Sequence, residues 1–174
     1  TSLVADWKDR LPGGHHSISI TGGEPLMQTE VLQEWLPALR SLLPIHLETN
    51  GTLPENFAPL AAHVDWVSMD IKLASQTGET TPWEAHEEFL ALAAGRGCCV
   101  KAVVGAETTV EEVQQVAELL RCAASEVPLI LQPITRRGEV GMDAAQLLEL
   151  QAQAARIHSR IRVIPQTHAF LGLL

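Results

Sequence analysis

Cysteine is scarce in this 174-residue chain, which has three: Cys98, Cys99 and Cys122. An odd number with one adjacent pair does not make a disulfide framework. The spacing also argues against a metal site on cysteine, because no CxxC or CxxxCxxC run is present and adjacent residues of a strand point to opposite faces. We therefore expect small, buried or half-buried side chains in a protein of the reducing cytoplasm.

Basic residues and long apolar runs are scarce as well. Lys and Arg number 12 against 21 Asp and Glu, for a net charge of −9. Proteins that bind nucleic acid usually carry a basic surface, so we expect no nucleic-acid partner. No apolar run approaches the roughly 20 residues of a membrane span, and no signal-peptide pattern opens the chain, so we expect no membrane association.

What is present fits one globular domain over residues 1–174. The hydrophobic fraction is 46% and the charged fraction 19%, and a chain of this length can bury a core. After a predicted helix at 2–11, strand patterns alternate with helix patterns. The predicted strands lie at 17–21, 45–49, 64–70, 99–104, 129–132 and 161–164. This alternation predicts an α/β fold with a parallel sheet and right-handed crossovers, in an open or partial barrel, since eight units typically need ~250 residues.

Several local signals set the expected helix starts and faces. Capping boxes are predicted at residues 81–84 and 109–112, and Asp143 is expected to cap the last long helix. Pro37 is expected to kink the helix in which it lies or to reset its start. The predicted apolar stripe of that helix consists of Leu32, Trp35, Leu36, Leu39 and Leu43.

Polar residues gather where the predicted strands end. Ligands of parallel α/β proteins lie at the carboxyl ends of the strands, so polar residues at successive strand ends predict one shared pocket. These residues are Gly22, Gly23, Glu24, Glu48, Asn50, Ser68, Asp70, Lys72, Lys101, Gln132, Gln166 and His168.

The segment Ser-Ile-Ser-Ile-Thr-Gly-Gly-Glu-Pro at 17–25 is the most informative of these strand ends. Two glycines expose backbone carbonyls and amides, and Glu24 adds a negative charge. The combination suits a ligand whose cationic amine lies close to the main chain.

Other interpretations remain open for some of these residues. Residues 49–51 are also typical of a plain turn, because Asn-Gly tolerates positive φ. Lys72 and Lys101 also suit pairing with a neighbouring carboxylate, and His168 suits an exposed surface position.

Five motifs in order carry a resemblance to a known family. They are TGGEP (21–25), ETNGT (48–52), SMDIK (68–72), LQP (131–133) and PQTH (165–168). Together they resemble the radical S-adenosylmethionine (SAM) superfamily, and within it the 7-carboxy-7-deazaguanine synthases. The resemblance extends over about residues 17–172 and implies a partial barrel of six β/α units.

The resemblance also implies roles for particular residues. The methionyl amino group of S-adenosylmethionine would lie on Gly22, Gly23 and Glu24. Ser68, Lys72 and Gln132 occupy positions that hold its ribose, carboxylate or adenine. The pterin-like substrate would be bound by Glu48, Asn50, Gln166 and His168.

The implied reaction is a carbon–nitrogen lyase step of queuosine and deazapurine biosynthesis. In the family, a 4Fe–4S cluster fed by an external electron donor reduces S-adenosylmethionine to a 5′-deoxyadenosyl radical. The radical abstracts a hydrogen from 6-carboxy-5,6,7,8-tetrahydropterin, and ring contraction with loss of ammonia follows, assisted by magnesium. Family enzymes of this branch resemble homodimers, so dimer contacts are expected.

Two features depart from the family pattern. The family holds its cluster through three cysteines on the loop after the first barrel strand, and we expect that strand and loop to precede Thr1 in a longer parent. The chain as given is then a truncated core, expected to be inactive by itself. The second departure is Ala169, where the family usually has lysine after the histidine.

Two other functions are compatible with the sequence. The first is a glycyl-radical activating enzyme of the same superfamily, whose partner would be a protein. The second is a non-catalytic α/β module that binds a nucleoside or a partner protein.

Overall fold

A computed structural model describes residues 4, 6–8, 13–136 and 139–172. In the predicted first helix, residue 4 and residues 6–8 are helical, and the remainder of that segment lies outside the described residues.

Six parallel strands form the main sheet, in the order β1-β2-β3-β4-β5-β8. Their bounds are Ile18–Ile20 (β1), Ile45–Thr49 (β2), Trp66–Ile71 (β3), Gly97–Val104 (β4), Leu129–Pro133 (β5) and Ile161–Val163 (β8). The predicted strands are therefore confirmed to within two residues at each end. The sheet is open, as a partial barrel requires.

A short antiparallel hairpin was not predicted. It pairs β6, Thr135–Arg136, with β7, Glu139–Val140. Strands of two residues are too short to show an alternating pattern, and the segment therefore had the composition of an exposed loop.

Among residues 13–172, the α-helices lie between the strands of the main sheet or after its last strand. They are α1 (Thr29–Arg40), α2 (Pro54–Phe57), α3 (Ala74–Thr77), α4 (Trp83–Ala93), α5 (Val110–Ala123), α6 (Ala144–Ala155) and α7 (Thr167–Leu171). In the described part of the chain, no helix combines the length and the apolar character needed to cross a bilayer.

The main sheet has one face covered by helices and one open face. Each strand pairs with the next strand of the sheet along the chain, so right-handed crossovers place the helices that connect these strands on the same side. Side chains of the covered face are buried, among them Leu47, Met69, Ala102 and Leu131. The alternate residues of β2 to β5 are half-buried or exposed, and they form the open face.

Two of the three predicted helix starts are confirmed. Thr109 and Glu112 form the reciprocal capping box, and the Asp143 carboxylate accepts hydrogen bonds from the Ala145 and Gln146 amides. The capping box at 81–84 was wrong. Pro82 is the N-cap of α4, so Thr81 lies one residue outside, and its hydroxyl donates to the Lys72 carbonyl at 3.1 Å.

The structure excludes one alternative for Pro37 and corrects the predicted stripe of α1. The helix runs without interruption from Thr29 to Arg40 with Pro37 inside it, so its start is not reset, and the kink stays a prediction. Leu32, Leu36 and Leu39 are buried as predicted, but the Trp35 side chain is 46% exposed. At about 100° per residue, Trp35 lies at the border of the stripe, beyond the contact with the sheet.

Candidate cofactor and substrate site

A cavity of about 200 Å³ opens at the carboxyl ends of β1 to β4. It lies on the open face of the sheet, where those strand ends present polar side chains. Its lining consists of Thr21, Gly23, Glu24, Glu48, Thr49, Asn50, Ser68, Asp70, Lys72 and Lys101. The predicted gathering of polar residues is therefore observed for the first four strands.

The bare backbone of Gly23 forms part of the cavity wall, and Gly22 precedes it outside the lining. Gly22 has a φ of +98° and Gly23 a φ of +56°, a region that residues with a side chain rarely adopt. An added Cβ at either position would meet no atom within 4 Å. Glycine is needed here for backbone conformation, and it leaves an uncovered cradle whose carbonyls are able to accept hydrogen bonds from an ammonium group.

The Glu24 carboxylate faces the neighbouring loop. One oxygen accepts hydrogen bonds from the Thr49 hydroxyl at 2.7 Å and the Leu26 amide at 3.1 Å. The other accepts from the Asn50 amide at 2.8 Å. A carboxylate offers about four acceptor positions; three are used here, and two of them join the loops after β1 and β2. We call this arrangement the Glu24 clamp.

The turn at 49–51 is both a turn and part of the cavity wall, so the two interpretations are compatible. The side-chain oxygen of Asn50 accepts from the Thr52 amide at 3.0 Å and from the Thr52 hydroxyl at 2.7 Å. Gly51 follows with a φ of +67°. Among the described residues, the Asn50 side-chain NH₂ has no acceptor, so it is available to a ligand in the cavity.

A charged group lies on the wall formed by β3 and β4. One oxygen of Asp70 pairs with the ammonium of Lys72 and lies 3.7 Å from that of Lys101. The predicted alternative that both lysines pair with a carboxylate is thus confirmed. The other oxygen, Oδ1, is buried and has no hydrogen-bond partner among the described residues.

Ser68 connects this cavity to a second one on the open face. Its hydroxyl lies 2.8 Å from Nε2 of His46 and 3.4 Å from the sulfur of Cys99. Below it, towards the amino ends of the strands, a cavity of about 440 Å³ is lined mainly by apolar surface, and the His16 ring packs at a tilt against Trp66 with a ring-centroid distance of 4.4 Å.

The remaining predicted site residues lie outside the lining of the first cavity. Gln132 is half-buried on the open face of β5, opposite Val103 of β4. The side-chain oxygen of Gln166 accepts from the Thr135 amide at 2.8 Å. His168 belongs to α7, and its side chain is outside the described part of the structure.

Comparisons with known proteins decide the family. The sequence profile of the radical SAM superfamily matches residues 4–120. A 7-carboxy-7-deazaguanine synthase of Geobacter sulfurreducens is 45% identical over 174 residues, which are 99% of this chain and 70% of that protein. The chain belongs to the radical SAM superfamily, in its 7-carboxy-7-deazaguanine synthase family.

Two archaeal relatives with the same name support this assignment. The Thermococcus kodakarensis protein is 36% identical, with 93% of this chain and 65% of that protein covered. The Methanothermobacter thermautotrophicus protein is 33% identical, with 91% and 70% covered. Superfamily membership implies S-adenosylmethionine and a 4Fe–4S cluster as cofactors.

The described residues of this radical SAM chain fit the first cofactor but not the second. The uncovered backbone at Gly22 and Gly23 is a suitable cradle for the methionyl ammonium. The cluster needs thiolate ligands, whereas no group of three or more His, Cys, Asp or Glu residues in the described part could hold a metal ion. Burial raises the pKa of the Cys98 thiol to about 12, so that side chain is neutral at physiological pH.

Asp70 and Lys101 are cavity residues that the family resemblance did not assign. Their signal in the sequence is modest: Asp70 lies two residues after Ser68 and two before Lys72, the spacing of one strand face. Lys101 faces Asp70 only because β3 and β4 pair in that register, which the sequence alone does not specify.

Proposed function

We propose that this chain is the cofactor- and substrate-binding core of a 7-carboxy-7-deazaguanine synthase. The observation that supports this most is the meeting of the TGGEP, ETNGT and SMDIK motifs around one cavity. The three strand ends bring together the uncovered glycine backbone, the free side-chain NH₂ of Asn50 and the two lysines that pair with Asp70. A chain that shared only the fold would not need these groups at one place.

S-adenosylmethionine would lie along the carboxyl ends of the first strands. The carbonyls of Gly22 and Gly23 accept from its ammonium group, and Lys72 neutralises its carboxylate. Ser68 and Gln132 would contact the nucleoside. When bound, this cofactor supplies the radical chemistry of the superfamily, and the protein's own contribution is to fix its charged end and its sugar.

The proposed substrate is 6-carboxy-5,6,7,8-tetrahydropterin. Glu48 is exposed on β2 and lines the cavity, so its carboxylate is free to accept hydrogen bonds from the N–H groups of the pterin. The Asn50 NH₂ donates to a ring or carboxylate acceptor. Gln166 and His168 would approach from the β8 side. The Gln166 oxygen is already occupied, which leaves its NH₂ for the substrate.

We further propose the finer assignments that the family resemblance implies. The reaction would be that of a carbon–nitrogen lyase in deazapurine biosynthesis, with magnesium and an external electron donor, in a cytoplasmic homodimer. Residues 1–174 would form a single core domain.

Titration of ¹⁵N-labelled protein with S-adenosylmethionine tests the binding part. The expected result is that the amide signals of Gly22, Gly23, Asn50 and Ser68 shift, and that later addition of 6-carboxytetrahydropterin shifts Glu48 and Gln166. Methionine and adenosine, added separately, serve as controls for the two halves of the cofactor. Shifts confined to the cavity around Trp66, or no shifts at millimolar ligand, would contradict the proposal.

A further inference from the structure

His86 is a buried histidine that neither the motifs nor the family resemblance assigned. It lies on α4, and only 1% of its surface is exposed. Its Nδ1 lies 3.1 Å from the carbonyl oxygen of Gly51. Because a carbonyl only accepts hydrogen bonds, Nδ1 carries the proton, and Nε2 is the unprotonated nitrogen. Burial lowers the pKa of His86, in keeping with a neutral ring.

The hydrogen bond from His86 fixes one end of a peptide group whose other end is also fixed. The Gly51 carbonyl and the Thr52 amide belong to the same planar unit. His86 donates to the carbonyl, while the amide donates to the side-chain oxygen of Asn50 at 3.0 Å. The orientation of this peptide therefore sets where the Asn50 oxygen is held, and with it the direction of the Asn50 NH₂.

The turn cannot relax away from this position. An added Cβ at Gly51 would lie 2.6 Å from the terminal carbon of the Met69 side chain, so the backbone rests directly on β3. The Gly51 amide donates to the Thr49 hydroxyl at 3.1 Å, and that hydroxyl donates to Glu24. With the amides of residues 51 and 52 bound locally, the Gly51 carbonyl is the group by which α4 holds the turn.

We propose that His86 is a positioning residue for the substrate site: through the peptide joining Gly51 and Thr52 it holds Asn50 with its NH₂ directed to the ligand. The identity of that ligand rests on the function proposed above, whereas the positioning itself does not. A residue needed only for packing would be apolar. His86 instead buries an Nε2 atom that has no partner among the described residues, which carries a cost.

Three variants separate hydrogen bonding from packing. In His86→Asn the amide nitrogen takes the place of Nδ1, in His86→Gln it takes the place of Nε2, and in His86→Leu no donor remains. We expect His86→Asn to bind 6-carboxytetrahydropterin within about threefold of the unmodified chain. For His86→Gln and His86→Leu we expect affinity to fall by about tenfold. S-adenosylmethionine affinity should change less than about threefold in all three.

A readout independent of the ligand accompanies the binding data. ¹⁵N spectra of the imidazole should show His86 as the Nδ1–H tautomer, and the Thr52 amide and Asn50 side-chain signals should move in the Gln and Leu variants and return in the Asn variant. If these signals behave so but the unmodified chain does not bind the pterin, the positioning role stands and the substrate assignment fails. If the Asn variant resembles the Leu variant in both readouts, or if all three resemble the unmodified chain, the positioning role is wrong. Should the Leu variant not fold, the comparison of Asn with Gln still decides the question.

Discussion

The loops after β1 and β2 are held together by side chains, whereas the loops after β5 and β8 are held far less. At the first pair, Glu24 accepts three hydrogen bonds, two of them from the turn after β2. His86 donates a further hydrogen bond to the Gly51 carbonyl of the same turn. At the second pair, the described residues show one side-chain hydrogen bond that joins the two loops, from the Thr135 amide to Gln166.

The difference concerns how far each end of the sheet is fixed before a ligand binds. A ligand site benefits from groups fixed in advance, since ordering them on binding would cost affinity. The loops after β1 and β2 have such groups, whereas the described residues after β5 and β8 show fewer restraints. Substitutions at the two ends should therefore differ in their cost to stability.

Replacement of Glu24 should have the largest effect. Glu24→Ala leaves two amides and one hydroxyl without their acceptor, so the free energy of unfolding should fall by about 2–4 kcal/mol. Glu48→Ala is the matched control, because that carboxylate is exposed, and its effect should stay within about 0.5 kcal/mol. Urea denaturation measures both. Equal losses for the two variants would show that the clamp does not stabilise the loops.

Gly51→Ala should be the next most damaging change. A left-handed residue with a side chain costs about 1–2 kcal/mol, and overpacking against the flexible Met69 side chain adds roughly 1 kcal/mol. Gly78→Ala is the control, since Gly78 has a φ of +75° but open space around an added Cβ, so only the backbone cost applies. Thermal unfolding should rank Gly51→Ala clearly below Gly78→Ala, and a reversed order would contradict the close packing of the turn.

Substitutions at the β5 to β8 end should be mild. Gln166→Ala removes one hydrogen bond to a backbone amide and should cost about 1 kcal/mol. Gln132→Ala, which removes no observed hydrogen bond between described residues, should cost at most about 0.5 kcal/mol. Calorimetry should nevertheless show that Gln132→Ala weakens S-adenosylmethionine binding several-fold. Unchanged affinity would remove Gln132 from the proposed cofactor site.

The smallest effect concerns a single thiol. With a pKa raised to about 12 by burial, Cys98 should resist alkylation by iodoacetamide at pH 8, while the exposed Cys122 reacts. Because the unfolded thiol ionises near pH 8.5, the raised pKa favours unfolding as the pH climbs above that value. Mass spectrometry of the alkylated peptides shows whether Cys122 is labelled before Cys98. Rapid labelling of Cys98 in the folded protein would refute its burial.

The parts of the fold that sequence predicts well are those set by periodicity. Alternation of apolar residues located the central strands, because one face of β2 to β5 is buried. The short hairpin of β6 and β7 escaped detection, since two residues show no period. Trp35 was placed in the core because the helical stripe is wider than the contact it makes with the sheet.

Site residues were predicted well where a sequence motif lies at the end of a strand. They were predicted less well where the position of a side chain depends on hydrogen bonds to residues distant in sequence. Asn50 and Ser68 could be located from their motifs. The direction of the Glu24 carboxylate could not, because its acceptors are filled by a turn 25 residues away. The role of His86 could not be predicted, because its hydrogen-bond partner, the Gly51 carbonyl, is 35 residues away in the sequence.

A crystal structure of this chain with S-adenosylmethionine would test most directly whether the first strand ends hold the cofactor. We expect its ammonium within hydrogen-bonding distance of the Gly22 or Gly23 carbonyl and its ribose beside Ser68. A cofactor seated instead in the cavity beside Trp66, with the glycine backbone untouched, would contradict that assignment.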